Sequence, residues 1–159
     1  MVFKTITKSN FDTKELGAKL GKLLKAGDAV LLDGELGAGK TTFTQGIASS
    51  LNIKGEVTSP TFVIAREHKS LDGKANLVHV DAYRLSTLAE ISQLDLTSDL
   101  EESILVVEWG KDLVNDLVEN PIRVKINHTE NENERKIEIN ASQEILGNLK
   151  WVHQIMFYR

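Results

Sequence analysis

The chain contains no cysteine, which excludes disulfide bonds and any thiolate-held metal. It also lacks a long apolar run: nothing approaches the roughly 18 uninterrupted apolar residues of a membrane helix. The opening segment MVFKTITKSNF has no signal-peptide core, so a cytoplasmic protein with no membrane contact is expected. Excess positive charge is absent as well. A formal net charge of −4 and a pI near 5.6 argue against a large nucleic-acid-binding face, while leaving room for a local one. Arginine is scarce: Arg66, Arg84, Arg123, Arg135 and Arg159 are all there are, and none is paired as in the lid of a small-molecule kinase. No N-K-x-D segment is present to read guanine, and no D-x-x-G follows a strand. A Ras-like GTPase is therefore not expected. His79 and His128 stand apart in the sequence, so no histidine-based metal site is expected.

What is present fits one globular α/β domain spanning residues 1–159, long enough to bury a single core. The first residues, FKTIT, read as a strand. Asp12 and Glu15 then give a cap-like signal before Leu16, Leu20, Leu23 and Leu24, which share a helix face expected to run to Gly27-Asp28. Lys19, Lys22 and Lys25 make a solvated stripe on that helix. AVLLD is a buried strand, and Thr41 to Leu51 forms a helix with Phe43, Ile47 and Leu51 at four-residue intervals. VTSPTFVIAREH is β-rich but interrupted by Pro60, and the Asp72-Gly73 turn returns the chain through ANLVHVDAY. Residues 87–102 suggest one or two short helices. ILVVEW is another buried strand, closed by Gly110 and a short helix. IRVKIN and RKIEIN alternate in period two around HTENENE, a hairpin, and the tail is helical. Strands alternating with helices, plus hairpins, predict a mixed β-sheet flanked by helices.

Between AVLLD and its following helix lies DGELGAGKTTFTQG, with three glycines in six positions. Gly34, Gly39, Lys40 and Thr41 supply the pattern G-x-x-x-x-G-K-T. Glycines let successive backbone N–H groups turn inward toward phosphate oxygens. The lysine brings a point charge to the β- and γ-phosphates, and the threonine hydroxyl suits Mg²⁺. Chance would produce this pattern in about one chain in 200 of this length. A nucleotide-phosphate site is the expectation, with the anion at a helix N-terminus.

Such a loop needs an acid at the end of a buried strand to hold the metal or its waters. Glu108 in ILVVE is the favoured metal ligand, which leaves Asp81 in NLVHVD to orient the attacking water. Asp33 also ends a strand but is expected to point away from the metal. In TSPTF, Ser59 and Thr61 flank Pro60, where a hydroxyl is placed to sense the γ-phosphate.

Taken together, GELGAGKTTFTQG, TSPTFVI, HVDAYRL and LVVEWG resemble the bacterial TsaE (YjeE) family in order, in spacing and over nearly the whole chain. The resemblance implies a single P-loop NTPase-like domain and a Mg²⁺-dependent ATPase. Its role would be, with the TsaB and TsaD proteins, the formation of the threonylcarbamoyl group on adenosine 37 of ANN-decoding tRNAs. ATP hydrolysis would reset or activate the TsaB–TsaD complex, with tRNA reached through that complex. Carried onto this chain, it assigns Leu36, Gly37, Ala38, Gly39, Lys40, Thr41 and Thr42 to phosphate binding, and Thr41 and Glu108 to Mg²⁺. Asp81 becomes the catalytic acid or base beside Tyr83, with Lys40 and Thr61 also catalytic. Arg135 and Thr13 would flank the adenine. Two other readings share the loop: a nucleoside or small-molecule kinase, which needs an acceptor pocket, and a non-enzymatic ATP-dependent switch.

Overall fold

The computed structural model describes residues 1–59, 65–83, 100–109 and 118–157, with side chains described up to residue 150. The expectations for residues 87–99, for Gly110 and the helix after it, and for Thr61 lie outside these. In chain order the elements are β1 (Val2–Thr7), α1 (Asn10–Gly21), β2 (Ala29–Asp33), α2 (Lys40–Ser50), β3 (Ala65–His68) and β4 (Asn76–Asp81). They continue with β5 (Ser103–Glu108), β6 (Ile122–His128), β7 (Arg135–Asn140) and α3 (Gln143–Phe157).

The strands form one seven-stranded sheet in the order β1-β7-β6-β2-β5-β4-β3. Its middle, β6-β2-β5-β4, is parallel, and antiparallel partners close both edges. The mixed sheet expected from the alternating pattern is therefore present. β5 is buried at every position because neighbours cover both faces, which is why it reads as a continuous apolar run. β6 and β7 alternate, burying Ile122, Val124, Ile126, Ile137 and Ile139 on one face only.

That face packs on Leu16 and Leu20 of α1, Phe43 and Ile47 of α2, and Leu146 and Leu149 of α3. Leu31, Val78, Val80, Leu105 and Val107 form a smaller cluster on the other face. α1 begins earlier than Asp12 suggests. Ser9 is its N-cap, accepting the Asp12 N–H at 3.1 Å, while Asp12 accepts the Lys8 N–H at 3.0 Å. The helix also stops at Gly21, short of Gly27. Leu23 and Leu24 turn through tighter bonds to Leu20 and Gly21 and still pack on the core. α1 and α2 lie so close that a Cβ on Gly46 would sit 2.0 Å from the Lys14 carbonyl oxygen. Among the described residues no helix is long and apolar enough to cross a membrane.

Candidate functional site

The four parallel strands end along one edge of the sheet, where ligands of open α/β sheets bind. The glycine loop leaves the end of β2 there and enters α2. Gly39 is the N-cap of α2 with φ +107°, a left-handed conformation that disfavours any side chain. The contrast with α1 is instructive: α2 has no capping side chain and no acid in its first turn. Its leading N–H groups, which lack intrahelical partners, keep their positive field for an anion.

Lys40 opens α2 and is buried, its Nζ donating to the carbonyls of Gly34 at 2.7 Å and Glu35 at 2.8 Å. The ammonium also lies 4.0 Å from the centre of the Trp109 ring. Burial pulls its pKa below the ordinary lysine range, and the charges of Glu108, Asp81 and Asp33 oppose that shift.

Thr41 follows, and its hydroxyl donates to Glu108 Oε1 at 3.3 Å across 67 residues of sequence. Glu108 ends β5 and is 3% exposed. In the parallel pair of β4 with β5, Asp81 stands in register with Glu108, so both carboxylates share a face at adjacent strand ends. Asp81 is further fixed by accepting the Tyr83 N–H at 3.0 Å.

These residues line a cleft of about 570 Å³, together with Asn10, Leu36, Gly37, Gly39, Thr42, Ser59, Tyr83 and Arg135. Its size lies in the range of small-molecule sites. A larger cleft, about 740 Å³, lies at the opposite sheet edge near Ala29, Ile122 and Asn140. It contains neither the glycine loop nor the paired strand-end acids, so chemistry rather than volume selects the smaller one. Asp33 borders a separate groove with Arg123 and Lys125.

Several expected residues sit differently from their neighbours. Arg135 reaches the cleft but directs two of its nitrogens at the loop, Nε donating to the Ala38 carbonyl at 3.0 Å and Nη2 to Gly37 at 3.5 Å, while Nη1 donates to the Glu132 and Glu134 carbonyls of its own hairpin turn. It braces the loop from β7. Ala38 is wholly buried, and Thr13 is 1% exposed, its hydroxyl sharing a 2.8 Å hydrogen bond with Thr7. Neither side chain lines the cleft. Asn10 does line it, a residue that sequence reasoning passed over.

His79, isolated in the sequence, is not isolated in space. Its Nε2 lies 2.8 Å from Glu108 Oε1. The signal was available: two residues before Asp81 on a strand, it must share that residue's face.

The donor set can be tested against a metal. Thr41 and Glu108 offer only hard oxygen atoms, which suits Mg²⁺. Among the described residues no cluster of three or more histidine, aspartate or glutamate side chains forms a cage. A metal here would share its shell with phosphate and water, as Mg²⁺ does.

A glycine loop between a buried strand and an uncapped helix, beside paired strand-end acids, places the chain in the phosphate-loop class of nucleotide-binding α/β domains. Comparison with known proteins narrows this. The family model for "Threonylcarbamoyl adenosine biosynthesis protein TsaE" matches residues 7–137. The chain belongs to the TsaE family. It is 57% identical over 114 residues to the tRNA threonylcarbamoyladenosine biosynthesis protein TsaE of Streptomyces coelicolor, covering 71% of this chain and 77% of that one. To the TsaE of Mycobacterium bovis it is 46% identical over 122 residues, covering 72% and 73%. The crystal structure of Bacillus subtilis YdiB superposes with a TM-score of 0.76 at 28% identity, covering 96% of this chain and 97% of that one.

Proposed function

We propose that this chain is a Mg²⁺-dependent ATPase that serves formation of the threonylcarbamoyl group on adenosine 37 of ANN-decoding tRNAs. The observation that carries the reading is the Thr41–Glu108 hydrogen bond beside Lys40 at the uncapped start of α2. In the proposed mechanism the backbone from Leu36 to Thr42 holds phosphate oxygens. Lys40 exchanges its loop carbonyls for the β- and γ-phosphates. Thr41 and Glu108 hold Mg²⁺, which when bound would neutralise phosphate charge. Asp81, beside Glu108, orients the attacking water and takes its proton. Arg135 has its N–H groups committed to backbone carbonyls of the loop and of its own hairpin turn, so it offers the adenine a planar face, with Thr13 supporting the loop from below.

Family membership supports the tRNA role. The resemblance to TsaE further implies the TsaB and TsaD proteins as partners, with tRNA met through their complex. Cytoplasmic localisation follows from that role.

The test is phosphate release from ATP with no added acceptor, together with ATP binding by calorimetry. Lys40→Ala should abolish binding, because the β/γ charge loses its counter-ion. Glu108→Ala should weaken binding and hydrolysis only where Mg²⁺ is required. Unchanged Mg²⁺ dependence in Glu108→Ala would move the metal to Asp81, and release only with an added hydroxyl acceptor would make the protein a kinase.

A further inference from the structure

Outside the residues assigned above, the most unusual group at this edge of the sheet is His79. Its side chain is fully buried, yet it lies on the same face of β4 as Asp81, which lines the cleft. Nε2 lies 2.8 Å from Glu108 Oε1, and a carboxylate oxygen accepts but does not donate, so Nε2 carries the proton. Nδ1 is buried and has no hydrogen-bond partner among the described residues. An unmet buried acceptor is uncommon and calls for an explanation. The charge-assisted bond on the opposite side of the ring supplies one, since it is among the stronger hydrogen bonds in proteins. It also has a geometric consequence. Oε1 receives both the imidazole N–H and the Thr41 hydroxyl, so the carboxylate is held from two directions by one of its oxygens.

We propose that His79 is a positioning residue for the metal: its Nε2–H fixes the Glu108 carboxylate through Oε1 and so reserves Oε2 for Mg²⁺ or a Mg²⁺-bound water. The inference rests on the reading of Glu108 as metal anchor. His79 itself touches neither nucleotide nor metal. A glutamate side chain has several staggered rotamers, only some of which reach a metal beside Thr41. The imidazole removes that freedom before the metal arrives. Partners that orient a metal-binding group in this way change metal affinity by about 10–100-fold when removed.

The experiment is a Mg²⁺ titration of the binding of a non-hydrolysable ATP analogue to the full chain, by calorimetry. His79→Leu keeps the volume and deletes the donor. It should raise the half-saturating Mg²⁺ concentration at least about tenfold, while binding in EDTA stays within about twofold of wild type. His79→Gln, whose amide nitrogen falls where Nε2 lies, should restore the wild-type requirement. His79→Asn, whose amide falls nearer Nδ1, should not. With Glu108→Gln in place, His79→Leu should shift the Mg²⁺ requirement no further. Wild-type Mg²⁺ dependence in His79→Leu overturns the proposal, and so does equal loss with and without Mg²⁺. If His79→Leu fails to fold, the Gln–Asn pair decides, and equal Mg²⁺ requirements in those two overturn it. If Glu108→Gln alone leaves Mg²⁺ dependence untouched, the anchor reading falls and the inference with it. If Glu108→Gln shifts the dependence and His79→Leu does not, only the inference falls.

Discussion

Trp109 has a left-handed backbone, φ +62°, which for a bulky side chain costs on the order of 1–3 kcal/mol. The conformation is held because its N–H donates to the Leu32 carbonyl at 3.0 Å and its ring meets Tyr83, with centroids 5.1 Å apart. Simple strand alternation from Glu108 turns this indole away from the glutamate. The left-handed turn instead brings it into the same cleft, over the Lys40 ammonium. Any ligand that draws Lys40 off the loop carbonyls must therefore disturb the ring. Mg-ATP should shift tryptophan emission in the wild type and in Trp151→Phe, and Trp109→Phe should lose most of the signal while still binding nucleotide. A full response in Trp109→Phe would show that the reporter lies elsewhere. His68 supports a prediction of another kind. Burial lowers its pKa below the ordinary 6.5, helped by the nearby positive charge of Arg66 and opposed by a hydrogen bond to the Lys54 backbone. The folded state thus binds the proton less readily than the unfolded chain. Its contribution to stability is complete above pH 6.5 and is lost as pH falls through the lower folded-state value. Thermal melts from pH 8 to pH 5, a range of about three units around the ordinary value, should show that loss, and His68→Phe should flatten it.

The contact of α1 with α2 aligns the loop, because α2 begins where the loop ends. Gly46 allows the approach. Its missing Cβ would lie 2.0 Å from the Lys14 oxygen and 2.9 Å from the Ala18 nitrogen, both backbone atoms that cannot swing aside. Gly46→Ala raises helix propensity yet should destabilise the fold by about 1–3 kcal/mol, the usual cost of overpacking. Chemical denaturation measures the difference directly. A stabilised variant would mean that the two helices separate at little cost. The β6–β7 hairpin has a comparable positioning role, since Arg135 at the start of β7 bonds the carbonyls of Gly37 and Ala38. The sequence showed the hairpin through its alternation but gave no hint that its arginine braces the loop.

Across the whole molecule, positive charge facing the cleft is sparse among the described residues: Lys40 and Arg135 are its only cationic lining side chains, and Arg135 is engaged with the loop. Phosphate-loop enzymes without an arginine to stabilise the transition state turn over slowly. The isolated chain should therefore hydrolyse ATP well below about 1 s⁻¹, and adding the TsaB–TsaD pair should accelerate it. Rapid phosphate release from the chain alone, indifferent to those proteins, would contradict this expectation.

Much of this architecture was legible in the residue order, because it rests on local patterns. Continuous apolar runs marked the buried parallel strands, period-two alternation marked the one-sided hairpin, and the glycine spacing marked the loop where only a turn with open amides fits. Four short motifs in order were enough to suggest the TsaE family. Other features depend on packing between distant segments, which no local pattern encodes. α1 ends at Gly21, where a close approach to Ile47 and Ser50 of α2 needs a glycine, and the alternation rule fails at Trp109, whose left-handed backbone carries its ring to Tyr83 and Lys40. His79 looked solitary because its partner is 29 residues away, and parallel pairing of β4 with β5 brings the two together. Sheet register is a property of strands meeting in space, and it is register that turns a lone histidine and a strand-end glutamate into one unit.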